Sequence, residues 1–261
     1  MIYLLQPPTE EDYIAINDEF YKKWNFPNVV GCIDGKHIRI RCPNRSGSIY
    51  YNYKDFFSIV LMAVVDANSK FIAIDVGSFG REGDSGIFSR CNLGKSIKES
   101  FLPIPPPKKL PDTDVVLPHV ILGDEAFPLL PNLMKPYPRS QSLIDRSKAI
   151  FNYRLSRSRR IVENAFGILT SRFRIFSTPI HLNVTTVENV VVSACILHNI
   201  LSDDNRHTQS QLDADPSDLI SIEDYGEIEG DFGEPKEIRD KFKDYFNGTG
   251  AVSWQNETIR L

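Results

Sequence analysis

Phe56-Phe-Ser-Ile-Val-Leu-Met-Ala-Val-Val-Asp-Ala-Asn-Ser-Lys-Phe-Ile-Ala-Ile-Asp-Val-Gly77 is the stretch that decides the fold. Residues 56–65 are a nearly continuous apolar run, the pattern of a central strand covered on both faces. Asp66-Ala-Asn-Ser-Lys70 carries turn residues, and residues 71–77 return as a second strand. This hairpin fixes the middle of a sheet, and the chain on either side supplies its neighbours.

Upstream, residues 29–41 read as a strand, with Ile38, Ile40 and Cys42 alternating with Arg39 and Arg41. Asp34-Gly35 interrupts it. A carboxylate inside an apolar strand is costly unless something pairs with it, and the glycine permits close backbone approach or a bulge. Residues 1–28 form a lead-in, too short for a domain, whose one helix is capped by Thr9 and runs to about Lys23. Downstream, residues 78–86 form a Gly-rich loop in which Asp84 or Ser85 caps a helix over 86–99. The proline-dense residues 102–118 read as a surface connection. A short apolar strand, 119–127, carries Asp124 at its C-terminal mouth, where open α/β sheets place their ligand sites.

After the irregular residues 128–142, the segment 152–167 reads as a helix bearing Arg154, Arg157, Arg159 and Arg160. Phe151, Leu155, Val162, Phe166, Leu169 and Phe173 recur at three- and four-residue steps as an apolar stripe, with Glu163 at its edge. A guanidinium fork matches phosphate oxygens, so the row suits a polyanion. A carboxylate beside that row makes sense if a cation sits between the two. A second helix, from Thr185 or Thr186 to Leu201, is apolar nearly all round and therefore buried. Residues 202–261 read as an acidic tail, poorly ordered by composition over 203–234, with a short amphipathic helix at 236–246.

The net charge of −4 averages a basic middle with that acidic tail and describes neither. Cys32, Cys42, Cys91 and Cys195 have no paired spacing, which suggests reduced thiols in an intracellular protein and argues against a zinc site. No run approaches the roughly 20 apolar residues of a membrane span. The start lacks the basic region of a secretion signal. There is neither a Walker-type nor a Gly-x-Gly-x-x-Gly loop.

Asp34, Asp124 and Glu163 fall in matching contexts: one in the first strand, one at the end of the fourth, one on the following helix. With those strands adjacent, both aspartates open at one sheet edge and the helix places Glu163 across from them. Clustered carboxylates repel unless cations hold them together, and Mg²⁺ or Mn²⁺ prefers oxygen ligands. Two such ions about 3.5–4 Å apart activate water and stabilise the departing oxygen in phosphodiester chemistry. Plainer roles stay open: Asp34 in a turn, Asp124 as a cap, Glu163 paired with Arg159 or Arg160. Asp84 and Asp75 are the next acids in reach and suit an auxiliary role at the same site, Asp84 being at least as well suited to capping a helix. Arg154, Arg157 and Arg160 are the candidate contacts to a DNA backbone. His37 can reach phosphate or substrate, or be an ordinary strand histidine, and Lys36 stands beside it. The tyrosines at 50, 51 and 53 suit base stacking, or equally a strand edge that needs no ligand. His198-Asn199 reads as a satisfied core pair.

The motifs Gly31-Cys-Ile-Asp-Gly-Lys-His37, Gly123-Asp-Glu-Ala-Phe127 and Arg160-Ile-Val-Glu-Asn-Ala-Phe-Gly167 resemble the DDE nuclease domain of PIF/Harbinger-type transposases. The likeness covers the Harbinger transposase-derived nucleases and the antagonist-of-LHP-like proteins, and extends through Tyr50-Tyr-Asn-Tyr-Lys54, Phe151-Asn-Tyr-Arg-Leu-Ser156 and Leu197-His-Asn199. Order and spacing together make it specific. It implies an α/β, ribonuclease-H-like mixed sheet flanked by helices, with an endonuclease domain at 29–201. It also implies two Mg²⁺-type ions on Asp34, Asp124 and Glu163, DNA as substrate, and a nuclear location. Family members usually carry a helical DNA-binding region before this domain. This chain begins almost at that domain, as a truncated gene model, a decayed copy or a domesticated protein relying on a partner would. The resemblance implies a separate Myb/SANT-like protein for DNA targeting, and an oligomer is compatible with the sequence. The rival reading is a catalytically silent, domesticated transposase acting as a chromatin or transcription adaptor. A small-molecule phosphodiesterase fits the arginine row less well than a polymer does.

Overall fold

The computed structural model describes residues 2–4, 8–99, 102–204 and 234–255. In chain order the strands are β1 (Ile2–Leu4), β2 (Val29–Arg39), β3 (Ser58–Val65), β4 (Phe71–Phe79), β5 (Lys108–Lys109), β6 (Val116–Leu117), β7 (Val120–Leu122) and β8 (Leu133–Met134). The helices are α1 (Glu10–Trp24), α2 (Asp84–Arg90), α3 (Asn92–Lys98), α4 (Arg139–Ser142), α5 (Arg146–Arg172), α6 (Val184–Asp204) and α7 (Pro235–Asn247). One sheet runs β1-β4-β3-β2-β7-β8, and β5 with β6 forms a separate ribbon. β1, β4, β3 and β2 are successively antiparallel, whereas β7 and β8 run parallel to β2. This mixed sheet flanked by helices is the ribonuclease-H-like arrangement.

The apolar run around residue 60 follows from burial on both faces. Ile59, Leu61, Ala63 and Val65 enter the core shared with α5, α6 and α7. Val60, Met62 and Val64 enter a second core with Ile87 and Phe88 of α2 and Leu93 and Ile97 of α3. Alternation along one strand therefore feeds two helical layers. Thr9 caps α1 in a reciprocal box with Asp12, as its sequence position predicts.

Several local expectations change. Asp34-Gly35 does not interrupt β2, because β3 stays in register across it, with Asp34 opposite Ala63 and Gly35 opposite Met62. The parallel partner β7 ends at Leu122, opposite Cys32, so the carboxylate emerges where one neighbour has stopped. The expected helix 86–99 is two helices broken at Cys91, whose backbone is extended and whose Sγ accepts from the Gly94 N–H at 3.2 Å. Neither Asp84 nor Ser85 caps α2: Gly83 is the boundary residue and makes no side-chain cap.

α6 begins at Val184, with Asn183 Oδ1 accepting from the Thr186 N–H at 2.9 Å. It is buried on one side only: Val187, Val191 and Cys195 face the core, while Leu197 is 47% exposed. Over Val184–Ser202 this helix is long and apolar enough to cross a membrane by length and composition, contrary to the reading of the bare sequence. Its inner side packs on the sheet. The amphipathic segment near the C-terminus is helical as α7, and its Phe242 and Phe246 pack against Phe26 and Phe151. Residues before β2 and after α6 thus share the core of the sheet. The acidic run 205–233 lies outside the described residues.

Candidate metal and nucleic-acid site

Asp34 and Asp124 each lie two residues beyond the paired Cys32 and Leu122, so they emerge side by side from adjacent parallel strands. Asp84 reaches them from α2, which packs on the other face of the sheet. Gly35 makes room for it, since a Cβ at position 35 would overlap the Asp84 carboxylate. One carboxylate oxygen from each of Asp34, Asp84 and Asp124 lies within 4.8 Å of the other two. Asp84, read from the sequence as auxiliary, is a full member of this group. Glu163 is not; it is exposed on α5 and lines an open cleft of about 690 Å³ together with Gly35, Lys36, His37 and Lys54.

Burial pushes the Asp34 carboxyl up to about 6, with the charges of Asp124 and Asp84 adding to the rise. The Arg159 guanidinium and a 2.9 Å bond from the Gly35 N–H partly offset it. Burial, then the charge of Asp124, also raises Asp84, against the pull of Lys54 and Arg159. Arg159 lies 3.6 Å from Asp34 Oδ2, and both side chains are largely buried. The cation next to Asp34 is therefore not one of the three arginines singled out in the sequence. Its helical position supplies a signal: Arg159 lies one turn before Glu163, on the same side of α5.

The cleft is cationic. Lys36 projects over the Phe166 ring, 5.7 Å from its centroid, and Arg39 stacks on Phe56 at 4.4 Å. Burial and then the Lys54 charge lower the Lys36 amine. Lys54, which the sequence reading passed over, comes from the loop after Tyr50 and acts on Asp84, Lys36 and His37 together. Tyr53 is 78% exposed beside His37, with ring centroids 5.6 Å apart.

Arg154 must be reassigned. It is 1% exposed and cannot reach a DNA backbone. Its Nη1 donates to Gln255 Oε1 (2.8 Å) and the Gly250 carbonyl (3.2 Å), its Nη2 donates to the Asn25 carbonyl, and Phe246 stacks on it at 4.4 Å. Burial, then the charge of Arg157, lowers its guanidinium to about 10. Arg157 is largely occupied as well, donating to the Trp24 carbonyl and Asn25 Oδ1 at 3.2 Å and stacking on Trp254. Arg160 is exposed. His198 and Asn199 lie inside the fold, but only Asn199 is fully paired. His198 Nε2 bonds the Ser69 carbonyl while its buried Nδ1 has no partner among the described residues, and the Asn199 amide pairs with both the N–H and the carbonyl of Phe71. Asp75 is buried in β4 and accepts from the backbone N–H groups of Asn92 and Leu93, away from the cleft.

The sequence from 33 to 199 matches the model of the DDE superfamily endonuclease family. Among curated relatives, "Protein ALP1-like" of Arabidopsis thaliana is 29% identical over 211 residues, covering 77% of this chain and 49% of that one. "Putative nuclease HARBI1" is 24% identical over 233 residues in both Bos taurus and Homo sapiens, covering 85% of this chain and 60% of theirs. The chain thus spans about half to three-fifths of the length of these relatives. No solved structure matches.

Proposed function

The chain belongs to the DDE superfamily endonuclease family, and from that premise we propose that it is a divalent-metal-dependent DNA endonuclease of transposase origin. The observation that carries this reading is the convergence of Asp34, Asp84 and Asp124, from three separate elements, beside a cationic cleft. Three such oxygens form a hard, anionic donor set that suits Mg²⁺ or Mn²⁺. Asp34, Asp84 and Asp124 would hold the first ion, and Glu163, on the α5 side of the cleft, would contribute toward a second. When bound, such ions activate a water and stabilise the departing oxygen of a phosphodiester.

The remaining roles belong to the protein's own side chains. Lys36 and Lys54 bind backbone phosphates at the cleft, and exposed Arg160 adds a contact on α5. Arg159 balances Asp34 before a metal arrives. In the same reading the protein works in the nucleus, and a Myb/SANT-like partner supplies target recognition.

The test is nicking of supercoiled plasmid by purified protein with Mg²⁺, Mn²⁺ or EDTA, beside Asp34→Asn and Glu163→Gln variants. The expected result is metal-dependent nicking that falls at least about 10³-fold in Asp34→Asn, since the variant removes a group acting at the reacting centre. Well-folded wild type that binds DNA, with or without a partner, yet never nicks with either metal would move the assignment to the adaptor reading.

A further inference from the structure

A hydrogen-bond chain joins the loop after Tyr50 to β2 and ends at His37. Asn52 is buried, and its Oδ1 accepts from the N–H groups of Lys54 (2.9 Å) and Phe56 (3.4 Å). Two donors on that oxygen fix the amide's orientation, so Nδ2 is the end that donates to Ser58 Oγ at 2.8 Å. Ser58 is fully buried in a strand otherwise apolar throughout. Its Oγ lies 2.9 Å from His37 Nδ1.

The direction of the second bond follows from the first. Ser58 Oγ already accepts from Asn52, and among the described residues the hydroxyl has no acceptor other than His37 Nδ1. If Nδ1 were the donor, the buried Ser58 O–H would be left unpaired, at a cost of about 1–3 kcal/mol. Nδ1 therefore accepts, and the ring proton sits on Nε2. Among the described residues Nε2 has no partner, and His37 lines the cleft beside Lys36 and Lys54.

We propose that His37 is a neutral hydrogen-bond donor, through Nε2–H, to a phosphate oxygen of bound DNA, with Asn52 and Ser58 as the positioning residues that lock this tautomer. The proposal rests on the nucleic-acid reading of the cleft. Burial, then the charges of Lys54 and Lys36, push the imidazole down to about 4, so the ring is neutral near pH 7. A neutral donor beside two lysines adds direction without a third charge. Tyr53 and Phe56 both meet the ring in T-shaped contacts, with centroids 5.6 and 6.3 Å away. Gly80 lets the backbone close over Ser58, where a Cβ would collide with the hydroxyl.

The experiment is long-range ¹H–¹⁵N correlation of the histidine rings in the whole chain, in EDTA at pH 7, with His37 assigned by comparison with His37→Gln. The expected spectrum shows an unprotonated Nδ1 and a protonated Nε2 at His37, with Nε2 shifting when a short DNA duplex is added and His198 unmoved. In Ser58→Ala the lock is gone and both tautomers appear. His37→Leu weakens duplex binding about tenfold, whereas His37→Gln, which keeps an N–H near the position of Nε2, stays within about threefold. A protonated Nδ1 or an imidazolium at pH 7 overturns the proposal and leaves the cleft's reading intact. A duplex that binds without moving Nε2 also overturns it. A duplex that does not bind at all overturns both.

Discussion

Two stretches of α5 carry the same residue type to opposite ends. Arg154 and Arg157 turn inward, where Asn25, Gly250, Gln255 and Trp254 take up their donors and ring faces. Less than a turn further on, Arg159 faces the Asp34 carboxylate and Arg160 faces solvent. The difference teaches that a row of arginines is sorted by helical angle. Residues 154 and 157 share one side of the helix, and 159 and 163 share another. The first pair holds the fold together, and the second borders the candidate chemistry.

The sharpest way to break this contrast is Arg154→Ala. It removes a buried side chain and strands the carbonyls of Asn25 and Gly250, so it should cost about 3–5 kcal/mol in chemical denaturation. Its DNA affinity per folded molecule should not change. A variant of unaltered stability with weakened DNA binding would return Arg154 to the nucleic-acid surface.

A smaller effect concerns the carboxylate that Arg159 faces. The Asp34 carboxyl is raised to about 6 in the fold against an ordinary 3.8. The native state thus binds the proton more tightly, and ionised Asp34 destabilises it. In EDTA, Asp34→Asn should melt above wild type at pH 7, by the equivalent of about 3 kcal/mol. That advantage should shrink as the pH falls through 6 and vanish below about 4, where Asp34 is protonated in both folded and unfolded chains. An offset independent of pH would mean that Arg159 fully compensates the cluster. Smallest of all is Arg160→Ala. Stability should stay within about 0.5 kcal/mol, and the log–log salt dependence of DNA binding should lose about one unit of slope.

Much of this was legible in the sequence where the cause is local. The burial of β3 on both faces, the stripe on α5 and the emergence of Asp34 and Asp124 at one sheet edge follow from alternation, periodicity and strand order. What escaped depends on distant partners. Arg154 is indistinguishable from its neighbours until Gly250 and Gln255 return to it, about a hundred residues later. Asp84 looks like a helix cap until Gly35, on strand β2, leaves the space it enters. The break at Cys91 arises because a thiol takes the capping role that oxygen side chains usually fill.

The burial of Arg154 also bears on modularity. The family likeness ends at residue 199 and begins at 33, yet every donor bond of Arg154 reaches outside those limits, to Asn25 on one side and to Gly250 and Gln255 on the other. The span recognisable by descent is therefore smaller than the span that folds. Transplanted alone, residues 33–199 would lose the groups that cover and bond Arg154 and leave Phe151 without Phe26 and Phe246. The segment that carries the family likeness therefore depends on both of its flanks for its core.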